Sequence, residues 1–325
     1  MIIQQDSSYS TLRKPARLKA NDTIGLICPA SAIPDPKSVR VVTEQMAVMG
    51  LNVKTGAHLL DRYGYLAGRD EDRAADVNAM FADPTIKGIM AIRGGWGCNR
   101  ILPLLNYELI RKNPKVVLGY SDVTALLTAI YTKSDLVTFH GPMGVSTWGA
   151  YTLNYIKQML FDGDIALLQN PSTSTDHPCS AQNSIETITP GITGGKLVGG
   201  NLAVLSAMVG SEFLPDWRGK ILFLEDIREA IYRVDRMLTQ LKLAGILNQI
   251  SGFIFGHCTD CHPGEPACSF TLMEVLSDHL RPLGIPAWHG SLIGHIPDQF
   301  TLPIGTEVEI DADKGTILML EQAVV

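Results

Sequence analysis

Ser121, in the run Gly119-Tyr120-Ser121-Asp122, stands where the apolar stretch Val116-Val117-Leu118 gives way to a helix-patterned one, and a serine at such a junction can act as a nucleophile. An abrupt strand-to-helix turn lifts one side chain above a sheet and surrounds it with N–H groups that no helical carbonyl accepts. Val123, Leu126, Leu127 and Ile130 recur at i, i+3, i+4 and i+7, the period of one buried helix face, so Ser121 lies at a helix N-terminus. Serine is equally a preferred N-cap, and Asp122 a favourable first-turn residue, whatever a protein does. The run also has Val123 where a G-x-S-x-G elbow carries its second glycine. Partners elsewhere must decide the chemistry.

A nucleophilic serine needs a base, and the base an orienting carboxylate. Of the eight histidines, His58, His177 and His279 lie in loop-like or helical contexts without a companion residue, and His289 reads as a strand residue. His140, in Phe139-His140-Gly141-Pro142, ends a strand on the same sheet edge as Ser121. His295, in Gly294-His295-Ile296-Pro297, occupies a loop in the second half that can hold an imidazole over a cleft. Spacing alone does not choose between these two. Glu225 follows the apolar run Ile221-Leu222-Phe223-Leu224, a place where an acid is costly without a partner. Capping of the following helix by Glu225 or Asp226 explains it equally well.

Arg93-Gly94-Gly95-Trp96-Gly97 lies between a strand ending at Ile92 and the helical stretch Asn99 to Leu105. Such a loop lets backbone N–H groups approach either a pyrophosphate or an oxyanion. Cys98, Asn99 and Arg100 follow where a dinucleotide fingerprint needs its third glycine, so no cofactor is expected. His257-Cys258-Thr259-Asp260-Cys261-His262, with Cys268 beyond, is a possible metal site, but its spacing fits no usual zinc signature and no metal is expected.

These residues need a scaffold. Strands are expected at Thr23 to Cys28, around Val53, and at Gly88 to Ile92, Lys115 to Leu118 and Leu136 to Phe139, with helices at Lys37 to Met49, Asp70 to Phe81 and after Ser121. This alternation implies a parallel sheet covered on both faces, flavodoxin- or Rossmann-like, with its strand C-terminal ends along one ligand-binding edge. The polar, proline-bounded stretch Asn170 to Pro178 marks a connection. Beyond it come a strand at Lys220 to Leu224, a helix at Asp226 to Leu247, a strand at Ile250 to Phe255, a helix at Phe270 to Leu280, and a hairpin of Glu307 to Ile310 and Thr316 to Leu320. The expected organisation is an α/β domain over 1–167, a linker over 168–193 and a mixed α+β domain over 194–325.

Composition restricts the setting. A net charge of -6 with scattered Lys and Arg argues against nucleic-acid partners. No signal peptide opens the chain and nowhere do eighteen apolar residues run together, so a cytoplasmic protein without a membrane partner is expected. Six unevenly spread cysteines suggest reduced thiols rather than a disulfide framework. On residues alone, a non-catalytic ligand-binding module with Ser121 as a cap and the glycine loop as an anion cradle stands beside the enzyme reading.

Leu66-Ala67-Gly68-Arg69-Asp70, Arg93-Gly94-Gly95-Trp96-Gly97, Gly119-Tyr120-Ser121-Asp122-Val123-Thr124 and Phe139-His140-Gly141-Pro142 resemble, in order, the LD-carboxypeptidase family. So do Gly199-Gly200-Asn201-Leu202, the run Ile221 to Asp226, Tyr232 to Leu238, and Gly294-His295 before Thr301-Leu302-Pro303-Ile304-Gly305. This family of serine peptidases includes muramoyltetrapeptide carboxypeptidases and microcin self-immunity peptidases. The resemblance runs from about Arg17 to the end of the chain. It implies a Ser-Glu-His triad falling on Ser121, Glu225 and His295, and an oxyanion hole from the backbone N–H of Asp122 and of Gly94 or Gly95. His140 becomes a site-lining residue, and Arg93 and Trp96 beside the glycine loop are the other substrate-binding candidates, Arg93 for a terminal carboxylate. The implied substrate is a cytoplasmic muropeptide whose terminal D-alanine is released in cell-wall recycling, or a peptidyl or aminoacyl nucleotide in the microcin branch. A homodimer is implied as well.

Overall fold

Apolar runs separated by amphipathic segments bury both their faces when they pair edge to edge beneath covering helices. The computed structural model, which describes residues 12–171, 184–264 and 268–325, has this arrangement in its first half. There β1 (Thr23–Ile27), α1 (Lys37–Val48), β2 (Asn52–Thr55), α2 (Asp70–Ala82), β3 (Ile86–Ala91), α3 (Cys98–Ile101), α4 (Tyr107–Lys112), β4 (Val116–Gly119), α5 (Thr124–Ser134) and β5 (Thr138–His140) follow one another. The strands lie in the order β5, β4, β3, β1, β2, all parallel. β4 is buried along its whole length, which is why its sequence is an unbroken apolar run rather than an alternation. Parallel pairing brings the glycine loop after β3 and Ser121 after β4 to the same edge.

The chain continues through α6 (Ala150–Ile156), β6 (Leu167–Leu168), β7 (Glu186–Thr189), β8 (Ile192–Asn201), α7 (Leu202–Ala207), β9 (Ile221–Ile227), α8 (Ile231–Leu243), β10 (Gly252–Thr259), α9 (Leu272–Leu280), β11 (Ala287–His289), β12 (Leu302–Ile304), β13 (Glu307–Asp311) and β14 (Thr316–Met319). A second, eight-stranded sheet has the order β6-β14-β13-β8-β9-β10-β11-β7. It is parallel from β8 through β11 and antiparallel at its flanks, so the α/β plus mixed α+β expectation describes the fold. The closing hairpin is β13–β14, with Asp311 opposite Thr316.

Three differences from the sequence reading matter. β7 and the start of β8 lie inside the segment expected to be a linker, whose residues 172–183 are outside the described ones. The helix expected from Asp226 starts only at Ile231, because β9 runs on to Ile227. Glu225 and Asp226 are therefore buried strand residues that do not cap α8; both accept from Asn201, and Asp226 also accepts from Ala203 N in the first turn of α7. Finally, β12 leaves the second sheet and pairs antiparallel with β5, Leu302 opposite His140. The loop bearing His295 thus starts from β11 on one sheet and lands on the other.

The expectation of reduced thiols is corrected at one place: Cys258 and Cys261 form a disulfide. No described helix is long and apolar enough to cross a membrane.

Candidate active site

β4 turns tightly into α5. A Cβ on Gly119 would meet Val123 Cγ1 at 2.6 Å, so glycine alone lets the turn close. Ser121 has φ 61°, a left-handed conformation that a serine adopts at a cost of about 1–3 kcal/mol. Asn21, Asp135, Arg228 and Asp260 share this conformation, but Ser121 adopts it in a strand-to-helix turn, the setting of a nucleophile elbow.

The glycine loop lies against this turn. A Cβ on Gly94 would sit 3.0 Å from Ser121 Cβ and 3.4 Å from the Asp122 N, so a side chain there would intrude on the serine. Gly95, at φ 113°, has Ser31 where its Cβ would be. Ser31 fixes the loop twice, donating its N–H to Gly94 O (3.4 Å) and accepting the Trp96 N–H on Oγ (3.0 Å). Among the described residues the N–H groups of Gly94, Gly95 and Asp122 have no acceptor in the chain. Trp96 and Cys98 have theirs, in Ser31 and Asp122. Three unpaired donors beside a strained serine are what a developing oxyanion needs.

Glu225 is completely buried on β9, and its Oε2 accepts from His295 Nδ1 at 2.8 Å. Gly294, at φ 116°, lets the histidine loop lie directly on the carboxylate, since a Cβ there would be 2.7 Å from Oε2. Burial opposes ionisation of Glu225. The hydrogen bond and charge of His295 outweigh it, with His140 and Asn201 assisting, and hold the carboxyl below its ordinary range. An ionised Glu225 accepting at Nδ1 places the imidazole hydrogen there and leaves Nε2 as a base. The His295 ring lies 4.8 Å from that of Tyr120, the residue before Ser121. No hydrogen bond joins Ser121 Oγ to His295; such bonds commonly tighten only when substrate binds.

Asn201, which residue-by-residue reasoning passed over, ties the acids together. Its Nδ2 donates to Glu225 Oε1 (3.2 Å) and Asp226 Oδ1 (3.1 Å), while its own Oδ1 caps α7 by accepting from Val204 N (3.1 Å). The legible signal was an asparagine after two glycines and before a helix. Burial, then the charge of Glu225, pushes Asp226 up to about 7 despite donors from Ile227 N and Asn201 Nδ2.

The expected substrate-lining residues are dispersed. Trp96 is 68% exposed and edge-on to Tyr65, with ring centroids 6.4 Å apart. Arg93 donates to Ala32 O at 2.8 Å. His140 is buried beneath Tyr120 and against Phe223, with both ring nitrogens unpartnered among the described residues. Outside the site, His58, Asp61 and Asp72 are the one described group with metal-ligand spacing, and there His58 already pairs with Asp61 at 2.8 Å.

Burial keeps His140 and His289 neutral, each with a pKa of about 4 against 6.5 in an unfolded chain. Below pH 6.5 the unfolded state binds protons that the folded state refuses, so stability falls as pH drops from about 6.5 to 4, by at most roughly 3 kcal/mol per histidine. Asp226, raised to about 7, takes up its proton over the same interval and offsets part of this loss. Urea titrations are therefore compared between proteins: acidification from pH 6.5 to 4 is expected to cost His289→Phe less stability than the unaltered chain, and equal losses would contradict it.

Comparison with known proteins adds an independent line. A model of the LD-carboxypeptidase N-terminal domain matches residues 24–141, and one of the LD-carboxypeptidase C-terminal domain matches residues 194–310. The chain is 38% identical to a probable murein peptide carboxypeptidase of Bacillus subtilis, over 96% of this chain and 95% of the relative. It is 31% identical to the microcin C7 self-immunity protein MccF of Escherichia coli, over 99% and 98%. The structure of MccF in complex with glutamyl sulfamoyl guanosine superposes with a TM-score of 0.85 at 29% identity, covering 96% of this chain and 99% of that one. That of muramoyltetrapeptide carboxypeptidase from Oxalobacter formigenes does so with 0.77 at 30% identity, covering 91% and 97%.

Proposed function

Since this chain belongs to the LD-carboxypeptidase family, we propose that it is a serine carboxypeptidase that hydrolyses the L-D peptide bond of muropeptide tetrapeptides and releases their terminal D-alanine. Ser121 is the nucleophile, His295 the base and Glu225 the orienting acid. The observation that carries the reading is the buried Glu225–His295 hydrogen bond, delivered by a loop from the second sheet onto the ring that adjoins a serine at φ 61°.

As Ser121 Oγ attacks the scissile carbonyl, its proton passes to His295 Nε2, and Glu225 stabilises the imidazolium. Negative charge gathers on the carbonyl oxygen, where the N–H groups of Asp122 and of Gly94 or Gly95 receive it, each worth about 3 kcal/mol of barrier. The imidazolium then protonates the departing amine of D-alanine. Water, deprotonated by His295, cleaves the acyl-enzyme and restores the serine. Arg93 and exposed Trp96 flank the glycine loop, where the remainder of the substrate must pass; His140 supports the site from beneath Tyr120. No cofactor or metal takes part. A cytoplasmic place in cell-wall recycling and a homodimeric assembly complete the reading.

A second reading has its own support in the likeness to MccF: cleavage of a peptidyl or aminoacyl nucleotide. The two separate in one experiment. The protein is incubated with an L-lysyl- or diaminopimelyl-D-alanine tetrapeptide and, in parallel, with an aminoacyl sulfamoyl nucleotide, and products are resolved by mass spectrometry. Free D-alanine from the first arm is the expected result. Nucleotide cleavage alone would transfer the enzyme to the second class, and retention of peptide without release would make it a binding protein.

A further inference from the structure

The peptide group between Gly97 and Cys98 is gripped from both sides by buried charges. Its carbonyl accepts from Arg73 Nη1 at 3.0 Å, and its N–H donates to Asp122 Oδ2 at 2.8 Å. Arg73 comes from α2 and is 1% exposed; Asp122 adjoins the serine and is 7% exposed. The same guanidinium donates to Pro29 O, in the loop whose Ser31 holds Gly94 and Trp96, and pairs with Asp70. Burial raises the Asp122 carboxyl, while the Cys98 donors and the charge of Arg73 oppose the rise. Three chain segments far apart in sequence therefore meet on one peptide.

We infer that Asp122 and Arg73 are positioning residues: by clamping the 97–98 peptide they hold the N–H groups of the glycine loop in register with Ser121. The inference rests on the reading of Ser121 as nucleophile. Oxyanion stabilisation comes from donors fixed before the reaction, and displacement of such groups by about 1 Å can cost on the order of 100-fold in rate. Gly94 and Gly95 have no secondary-structure pairing of their own, so the clamp, Ser31 and the Arg93 bond to Ala32 O define their place. The Asp122 side chain thus acts separately from its backbone N–H, which remains free for the oxyanion.

Asp122→Ala removes the acceptor, whereas Asp122→Asn keeps an oxygen for the Cys98 N–H. Two readouts follow: the rate at which a fluorophosphonate labels Ser121, which needs the serine and its oxyanion donors but not the natural substrate, and kcat and KM for D-alanine release. For D122A we expect labelling and kcat to fall about 100-fold with KM nearly unchanged, and D122N to recover to within about fivefold. Thermal melts identify a D122A that fails to fold, in which case Asp122→Ser replaces it in the same contrast. A folded D122A that labels and turns over normally, or a D122N as impaired as D122A, would overturn the clamp. A wild-type protein that labels without releasing D-alanine faults only the substrate assignment. Labelling that survives Ser121→Ala, or a wild type that neither labels nor turns over, removes the nucleophile and this inference together.

Discussion

Ser121→Ala is expected to lower D-alanine release by at least about 10⁴-fold, while the tetrapeptide still binds. On the proposed mechanism the substitution deletes the one atom that would form the acyl bond and leaves the N–H groups of the glycine loop and Asp122 in place. It does little to the fold, because Ser121 is partly exposed, its hydroxyl makes no hydrogen bond among the described residues, and alanine is no more at ease than serine at φ 61°. A coupled assay for free D-alanine and calorimetric binding of the tetrapeptide measure the two halves of this expectation. Residual turnover above a tenth of the original would mean that water or another side chain attacks the carbonyl, and the covalent mechanism would be lost.

Glu225→Gln is expected to reduce kcat by about 10⁴-fold with little change in KM. Glu225 is inaccessible to substrate, so binding should not sense the change. The base should. Asn201 Nδ2 donates to Oε1, which orients a glutamine amide with its oxygen toward Asn201 and its NH₂ toward His295 Nδ1. That nitrogen must then accept rather than donate, and the imidazole hydrogen moves to Nε2, where it blocks proton removal from Ser121. ¹⁵N NMR of the His295 ring reports the tautomer directly. Activity within tenfold of the original, or an unchanged tautomer, would show that the carboxylate does not govern the imidazole.

Much of the scaffold was legible because its signals are local. Val116 to Leu118 reads as a strand buried on both faces and is one; Asp311 to Gly315 carries turn chemistry and is the turn between β13 and β14. The short helices α4 and α6 escaped notice, although Asn106 before Tyr107 is an N-cap whose side chain accepts from Leu109 N at 2.9 Å. The premature start assigned to the helix after Glu225 has a different origin. Two adjacent acids ordinarily end a buried strand, and nothing near them in sequence announces Asn201 and the Ala203 N–H as partners.

The amino-acid order alone determined the alternation of strand and helix, and with it the edge on which the glycine loop and Ser121 emerge, because hydrophobic period and turn chemistry are properties of neighbouring residues. It also supplied two histidines of equal standing and a carboxylate that could have been a cap. Only the tertiary structure decided which of these groups touch: β12 crosses to the first sheet and carries its preceding loop with it, laying His295 on Glu225 beside Tyr120, while the His140 ring sinks beneath the same tyrosine with no hydrogen-bond partner among the described residues. Which imidazole meets a carboxylate depends on contacts between residues about seventy positions apart, and spacing along a chain carries no record of where a strand will change sheets.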